Sequence, residues 1–343
     1  MPLRIGNTLE GKLYAGSTLI KEAYKGSSRV YVDYNPLGLP AYTIRAKFTA
    51  GYTPTQGDTQ TLVDSTENVW DITKSNSSWG TLFKNCTELL EVLGANSKGV
   101  TSMVTMFTGC SGLLRIELFD TSAAEIGVDG GASGTGMFEG CTTLTAVPLF
   151  NFSSARYLSC AFKGCTALQT VKRLATGSAL QTINMFQGCT SLVEAPELNM
   201  SSVTFTTSMF RGCSALTTVP LYDTSSVEGT GSMFTNCSSL ETVPLFDLSS
   251  VQATRGGAGG MFQGCTSLKE VPLFNMPVVT NVGNMFSNCT SVESGALALY
   301  QRLSTQTNPP SIKSGCFTNC GSGTVTGAAE LAQIPSSWGG TGA

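Results

Sequence analysis

The chain has 343 residues, with 20 Lys and Arg against 23 Asp and Glu, no histidine and a net charge of −3. Charged residues make up only 13%, so no basic field exists to hold nucleic acid. Without histidine the commonest general base and metal ligand are missing, and no Ser-His-Asp or Cys-His arrangement can be assembled.

Residues 1–36 differ in character from the remainder of the chain. The opening MPLRIGNTLEGKLYAG lacks the apolar stretch of a signal peptide. The chain is therefore expected to be made and folded in a cytoplasm, unless it is secreted without a cleaved signal. KLYAGSTLIKEAY followed by KGSSRVYVDY is a short duplication. Leu13, Tyr14, Ile20, Tyr24, Val30 and Tyr31 alternate around Gly-Ser turns, predicting small strands in a hairpin or meander. A floppy tail has no need of six such side chains, so we read them as a module docking the chain to another protein. Residues 37–79 form a linker and cap. Tyr42–Phe48 and Val69–Ile72 have strand character, and Trp70 and Trp79 supply apolar area to cover the open face of a first repeat.

From residue 80 to 290 one phrase recurs: Phe, two residues, Cys. It begins at Phe83/Cys86 and returns through Phe286/Cys289, with a last copy at Phe317/Cys320. Successive cysteines lie 24, 31, 24, 24, 24, 24, 28, 24 and 31 residues apart. A fixed period of this size predicts a β-rich solenoid of about ten turns, capped at both ends. At about 4.8 Å per turn it would be a rod of roughly 45 Å. Identical stacked rungs do not supply disulfide geometry, so the cysteines are expected to be free, buried thiols acting as small hydrophobes. Cys160 and Cys316 stand outside the repeat and leave a local bridge or a zinc half-site open.

The clearest copy is SMFTNCSSLETVPLFDLSSV, Ser232–Val251. Leu240, Val243 and Leu245 are expected to face inward from a short strand. Pro148, Pro196, Pro220, Pro244 and Pro272 sit mid-strand, where proline cannot donate to a ladder, so strands of two or three residues are expected. Insertions at 123–136 and 255–260 are Gly-rich surface loops, able to bind or simply tolerated. Residues 291–343 predict the last turn and C-terminal cap. There Ala296, Leu299, Tyr300 and Leu303 share one helical face, and Trp338 closes the chain.

No GxSxG, GxGxxG or Walker motif occurs, no cofactor is implied, and no enzyme is expected. Glu194, Glu197 and Asp223 are the only moderately clustered acids. The candidate ligand-binding column is Phe119, Phe150, Tyr222, Phe246 and Phe274, broken by Ala175 and Asn199. Beside it run Asp120, Asn151, Asp223, Asp247 and Asn275, a mixture that suits turn residues better than a tuned acid/base pair. Two readings stay open for the rings. Facing outward, they would stack on sugars while the Asp/Asn side chains bond hydroxyls; bent inward by the prolines, they would be core. Exposure below about a tenth removes the first reading.

The M-F-x-x-C-x-x-L…S-S-V unit resembles the BspA-like leucine-rich repeats of bacterial surface proteins, over residues 80–321. That resemblance implies a solenoid used in adhesion, although the secretion signal and wall anchor of those proteins are missing here. GKLYAGSTLIKEAYKGSSRVY is similar to short modules of gut-bacteriophage virion proteins, and the C-terminal GALALYQRLSTQTNPPS…GAAELAQIPSSWGG looks like phage and prophage relatives. Together these imply a virion protein of tail- or head-fibre type. It would be assembled in the host cytoplasm and act at the host surface. It would dock to other virion proteins through residues 1–36 and bind a host cell-surface glycan or protein through the repeats. No run of about 18 apolar residues occurs, so no membrane insertion is expected. A homo-oligomer, such as the trimers common among fibres, stays open, since a solenoid with two caps needs no partner.

Overall fold

The computed structural model describes Asn35, residues 37–127, 135–252 and 256–342, and the backbone of four short strands within 13–32. Those strands are β1 (Leu13–Ala15), β2 (Thr18–Ile20), β3 (Glu22–Lys25) and β4 (Ser28–Val32). β1 pairs antiparallel with β2, and β3 with β4 through an irregular register at Ala23/Tyr24. Leu13, Tyr14, Ile20, Tyr24, Val30 and Tyr31 fall on these strands, but their side chains lie outside the described residues.

The body is a β-rich repeat fold, opened by a mixed sheet. Its strands are β5 (Thr43–Phe48), β6 (Thr59–Asp64), β7 (Val69–Thr73), β8 (Leu89–Asn96) and β9 (Arg115–Ile116), ordered β6-β7-β5-β8-β9. β5 pairs antiparallel with β7 and β8, and β8 pairs parallel with β9. The sheet thus converts a hairpin-type edge into the parallel stacking of the repeats. β5 alternates as a half-buried strand must: Ile44, Ala46 and Phe48 are buried, while Arg45 on the other face makes a two-pronged bond to Asp71 at 2.8 Å. Trp79 is fully buried and Trp70 half-buried.

Each repeat contributes Phe and Cys inward, joined three residues on by a leucine from Leu89 to Leu268 and by Val292 after Cys289. The rings from Phe83 to Phe317 form a continuous column with centroids 5.1–6.1 Å apart and planes within 13° of parallel. Backbone bonds hold it: Phe186 N–H donates to the Met209 carbonyl at 2.8 Å, and Phe210 N–H to Met233 at 2.9 Å, one copy onward each time. The residue before each repeat cysteine has φ between 57° and 77° and is always Gly or Asn, the residues that tolerate the left-handed region. Phe48 abuts the first ring at 6.2 Å. At the far end Trp338 lies 6.5 Å from Phe317 and accepts its N–H at 2.9 Å.

The repeat cysteines do more than fill space. From Cys110 to Cys289 each thiol donates to the carbonyl of the preceding copy's phenylalanine, at 2.9–3.2 Å. That carbonyl also accepts the N–H of its own copy's cysteine: Phe186 O receives Cys189 N–H at 3.1 Å and the Cys213 thiol at 3.1 Å. All twelve cysteines, Cys160 and Cys316 included, are free and buried.

The strand register differs from expectation. Leu240 is buried, Val243 half-buried, and Leu245 points to solvent. In this copy Phe246 N–H bonds back to the Pro244 carbonyl at 2.9 Å, and Phe150 and Phe274 do the same to Pro148 and Pro272. This two-residue closure is a γ-turn centred on the leucine. It breaks the strict alternation of a strand, so the ring two residues after proline turns in and the leucine turns out. The ladder survives as two-residue strands, β10 (Arg173–Leu174) paired parallel with β11 (Glu197–Leu198).

The C-terminal cap is α1 (Ala296–Ser304), α2 (Val325–Leu331) and a 3-10 turn at Ser336–Trp338. Ala296, Leu299 and Leu303 are buried, and Tyr300 meets Trp338 edge-on at 5.4 Å. Glu330 of α2 accepts the Leu297 N–H at 3.0 Å and the Gly295 N–H at 3.3 Å, satisfying donors a helix start leaves open.

Two outcomes are expected. Phe210→Ala removes a fully buried ring from the column and should cost about 3–5 kcal/mol in denaturant unfolding. Burial raises the Cys165 and Cys213 thiols to about 12 from an ordinary 9.0. Their contribution to stability is therefore complete below pH 9.0 and is lost as pH rises toward 12. Native thiols should resist iodoacetamide at pH 8 and react once the chain is unfolded. Ready labelling of the native protein would contradict the thiol ladder.

Candidate functional site

The expected aromatic column is a correction. Phe119, Phe150, Tyr222, Phe246 and Phe274 are each no more than 3% exposed, so none offers a face to a sugar. The γ-turn supplies the physical reason at Phe150, Phe246 and Phe274. Tyr222 spends its hydroxyl inside, donating to the Pro196 carbonyl at 2.8 Å. The interruptions also shift by one position. Nine residues after Cys165 and Cys189 come Leu174 and Leu198, not Ala175 and Asn199, and Leu174 fills the ring's place in the core. Counting from the cysteine would have found this.

The neighbouring Asp/Asn column is at the surface and makes turns. Asp120, Asn151, Asn199, Asp223 and Asp247 each accept the backbone N–H two residues on, at 2.9–3.2 Å. These are Asx-turns. Asn275 cannot repeat the pattern because Pro277 stands two residues on. The bonds from Ser225 and Ser249 hold the Asp223 and Asp247 carboxyls below the ordinary 3.8, opposite to the upward shift a general acid needs. Among the described residues no group of three or more Cys, Asp or Glu could hold a metal ion, and no helix is long and apolar enough to cross a membrane.

The side chains that do face solvent come from the residue just before the ring or its replacement, which at Leu245 and Leu273 is the centre of the γ-turn. Eight residues after the cysteine the chain places Arg173, Glu197, Leu221, Leu245 and Leu273, all exposed. Arg173 and Glu197 face each other in register. Around them lies an open groove of about 400 Å³, lined by Leu174, Ala175, Leu198 and Asn199 among others. It opens where two copies lack the ring. A smaller recess of about 260 Å³ sits between Leu245 and Leu273. Sequence reasoning missed this column because it assigned the leucine to the core; the Pro-x-Phe spacing was the available signal. The groove and the recess bring together none of the expected ring faces. The insertion at 123–136 closes through a Gly127–Gly136 bridge, and residues 128–134, where a binding role was considered, lie outside the described residues.

The family described as "Mycoplasma protein of unknown function, DUF285" matches residues 77–197 and 180–298, more than half of the chain. Among solved structures, a leucine-rich cell surface protein from Faecalibacterium prausnitzii A2-165 is similar at 20% identity over 66% of this chain and 78% of that one, with a TM-score of 0.30. A leucine-rich repeat protein from Bacteroides ovatus ATCC 8483 is similar at 19% identity over 72% and 80%, with a TM-score of 0.26. No curated protein matches the chain.

The Asx-turns have a direct readout. Asp223 and Asp247 should titrate below 3.8 in carboxyl-detected NMR, and Ser225→Ala should move Asp223 upward by removing a hydroxyl bond of 2.6 Å. A titration at the free-aspartate value in the parent protein contradicts the turn assignment.

Proposed function

The chain belongs to the DUF285 family, and from that premise we propose that it is a non-catalytic attachment protein with BspA-like repeats. Its repeat body is a capped solenoid of about ten turns. The observation that carries this reading is the contrast between inside and outside. Inward positions repeat the same Phe and Cys, whereas the outward position changes from Arg173 and Glu197 to Leu221, Leu245 and Leu273. Interior groups are consumed by stacking and by one another's hydrogen bonds, which leaves contact at the surface as the work available to the protein.

In this proposal the chain is a bacteriophage virion component of tail- or head-fibre type, attaching to a host cell-surface glycan or protein. Residues 1–36 dock it to other virion proteins through their strands. Many copies on one particle multiply weak contacts. A second reading, a bacterial cell-surface adhesin, is favoured by one observation: the matching family is described from Mycoplasma, a cellular organism.

Mass spectrometry of purified virions should find the chain, and deleting residues 41–343 should lower adsorption to host cells by on the order of a hundredfold. Unchanged adsorption removes host attachment. A product found only at a bacterial envelope selects the adhesin reading instead.

A further inference from the structure

Three copies in a row place an exposed leucine eight residues after the cysteine: Leu221, Leu245 and Leu273 are 70%, 62% and 40% exposed. The backbone does not demand leucine there, because the two preceding copies carry Arg173 and Glu197 at the same position. A run of exposed leucines invites association, and contiguous apolar surface on a protein marks a contact. The recess of about 260 Å³ between Leu245 and Leu273 is floored by Val243 and Pro272, with Glu270 in its lining.

The charges around the strip have one predominant sign. Exposed Asp223 and Asp247 follow the leucines by two residues, and exposed Glu241 and Glu270 precede them by four and three. The basic side chains nearby are Lys269 and Arg302, and Arg302 is engaged with the Leu273 carbonyl at 2.9 Å. A second copy would bring the same carboxylates against these, which opposes self-association through this face. A saccharide would cover the leucines with hydroxyls and leave the charges unanswered.

We propose that Leu221, Leu245 and Leu273 form a docking strip for a cationic amphipathic segment of another protein. An apolar side chain of that segment occupies the recess, and its Lys or Arg side chains lie against Asp223, Asp247 and Glu270. The proposal deepens the attachment reading and rests on it, naming the chemistry of the partner.

The test titrates the full-length chain with two fluorescent peptides of equal length and charge, one alternating leucine with lysine, the other serine with lysine. The leucine peptide should bind at least about tenfold tighter, and Leu245→Ser with Leu273→Ser should remove that difference. Glu270→Gln with Asp247→Asn, and added salt, should each weaken binding. Thiol protection reports that the variants are folded. Equal affinity for the two peptides, or for parent and leucine variants, overturns the strip. So does a dimer of the parent that the leucine variants abolish, which would assign the face to a second copy. Either result leaves the attachment reading standing, because deletion of residues 41–343 tests that separately.

Discussion

A carbonyl oxygen buried away from water has to find its donors inside the protein. In this fold the carbonyl of each repeated phenylalanine from Phe83 to Phe262 finds two. One is the N–H of the cysteine three residues on; the other is the thiol of the cysteine in the next copy, as at Phe186 with Cys189 and Cys213. The rest of the unit is set by holding that geometry. The ring must lie flat on its neighbours, and the residue before cysteine must be left-handed to bring the N–H round. The side chain at the cysteine must be small, apolar in bulk and still able to donate. A thiol meets all three requirements. Alanine would leave the second donor missing, and serine would bring a more strongly hydrated group into the same dry site.

A stack built this way has the same unmet need at each end, and the caps answer it in kind. At the start Phe48 continues the ring column, and β5 turns the edge of the parallel ladder antiparallel. At the finish Phe317 has no further copy to receive its N–H, and the Trp338 carbonyl takes it while the indole lies near the ring. The tryptophan is held in turn by Tyr300 of α1, and α1 has its first donors satisfied by Glu330 of α2. The C-terminal cap thus forms one chain of contacts back to the column.

The repeated Phe and Cys, the two insertions, the terminal helix and the capping tryptophan were legible in the sequence because each rests on a single strong rule of period or size. Strand β6 was not, since its residues are mostly exposed and carry no apolar alternation. The sidedness of Pro-Leu-Phe was misread for a more instructive reason. Alternation predicts that leucine and the residue two before it share a face, but proline closes a γ-turn and resets the phase by one residue. That reset hid the outward column, where the candidate contact surface lies. The interruptions at Leu174 and Leu198 were placed one residue late, at Ala175 and Asn199, for want of counting nine residues from each cysteine. A second left-handed position, at Cys160, Asn184, Ser208, Ser232 and Asn284, was invisible because Ser and Cys give no sign of it.

The repeat also allows its surface chemistry to change without a change in how it folds. At each rung from Arg173 to Leu273 the inward ring, or the leucine that replaces it, and the outward side chain are adjacent in sequence but answer to different demands. The ring is fixed by stacking and by the neighbouring copy's hydrogen bonds. Its outward neighbour lies outside the core, so Arg173, Glu197 and Leu221 occupy one backbone position in three successive copies. Replacing an outward leucine removes little buried area, whereas replacing the ring beside it opens a cavity in the column. From Arg173 to Leu273 surface chemistry is thereby carried by one residue and stability by the next, and the repeat sets the two side by side.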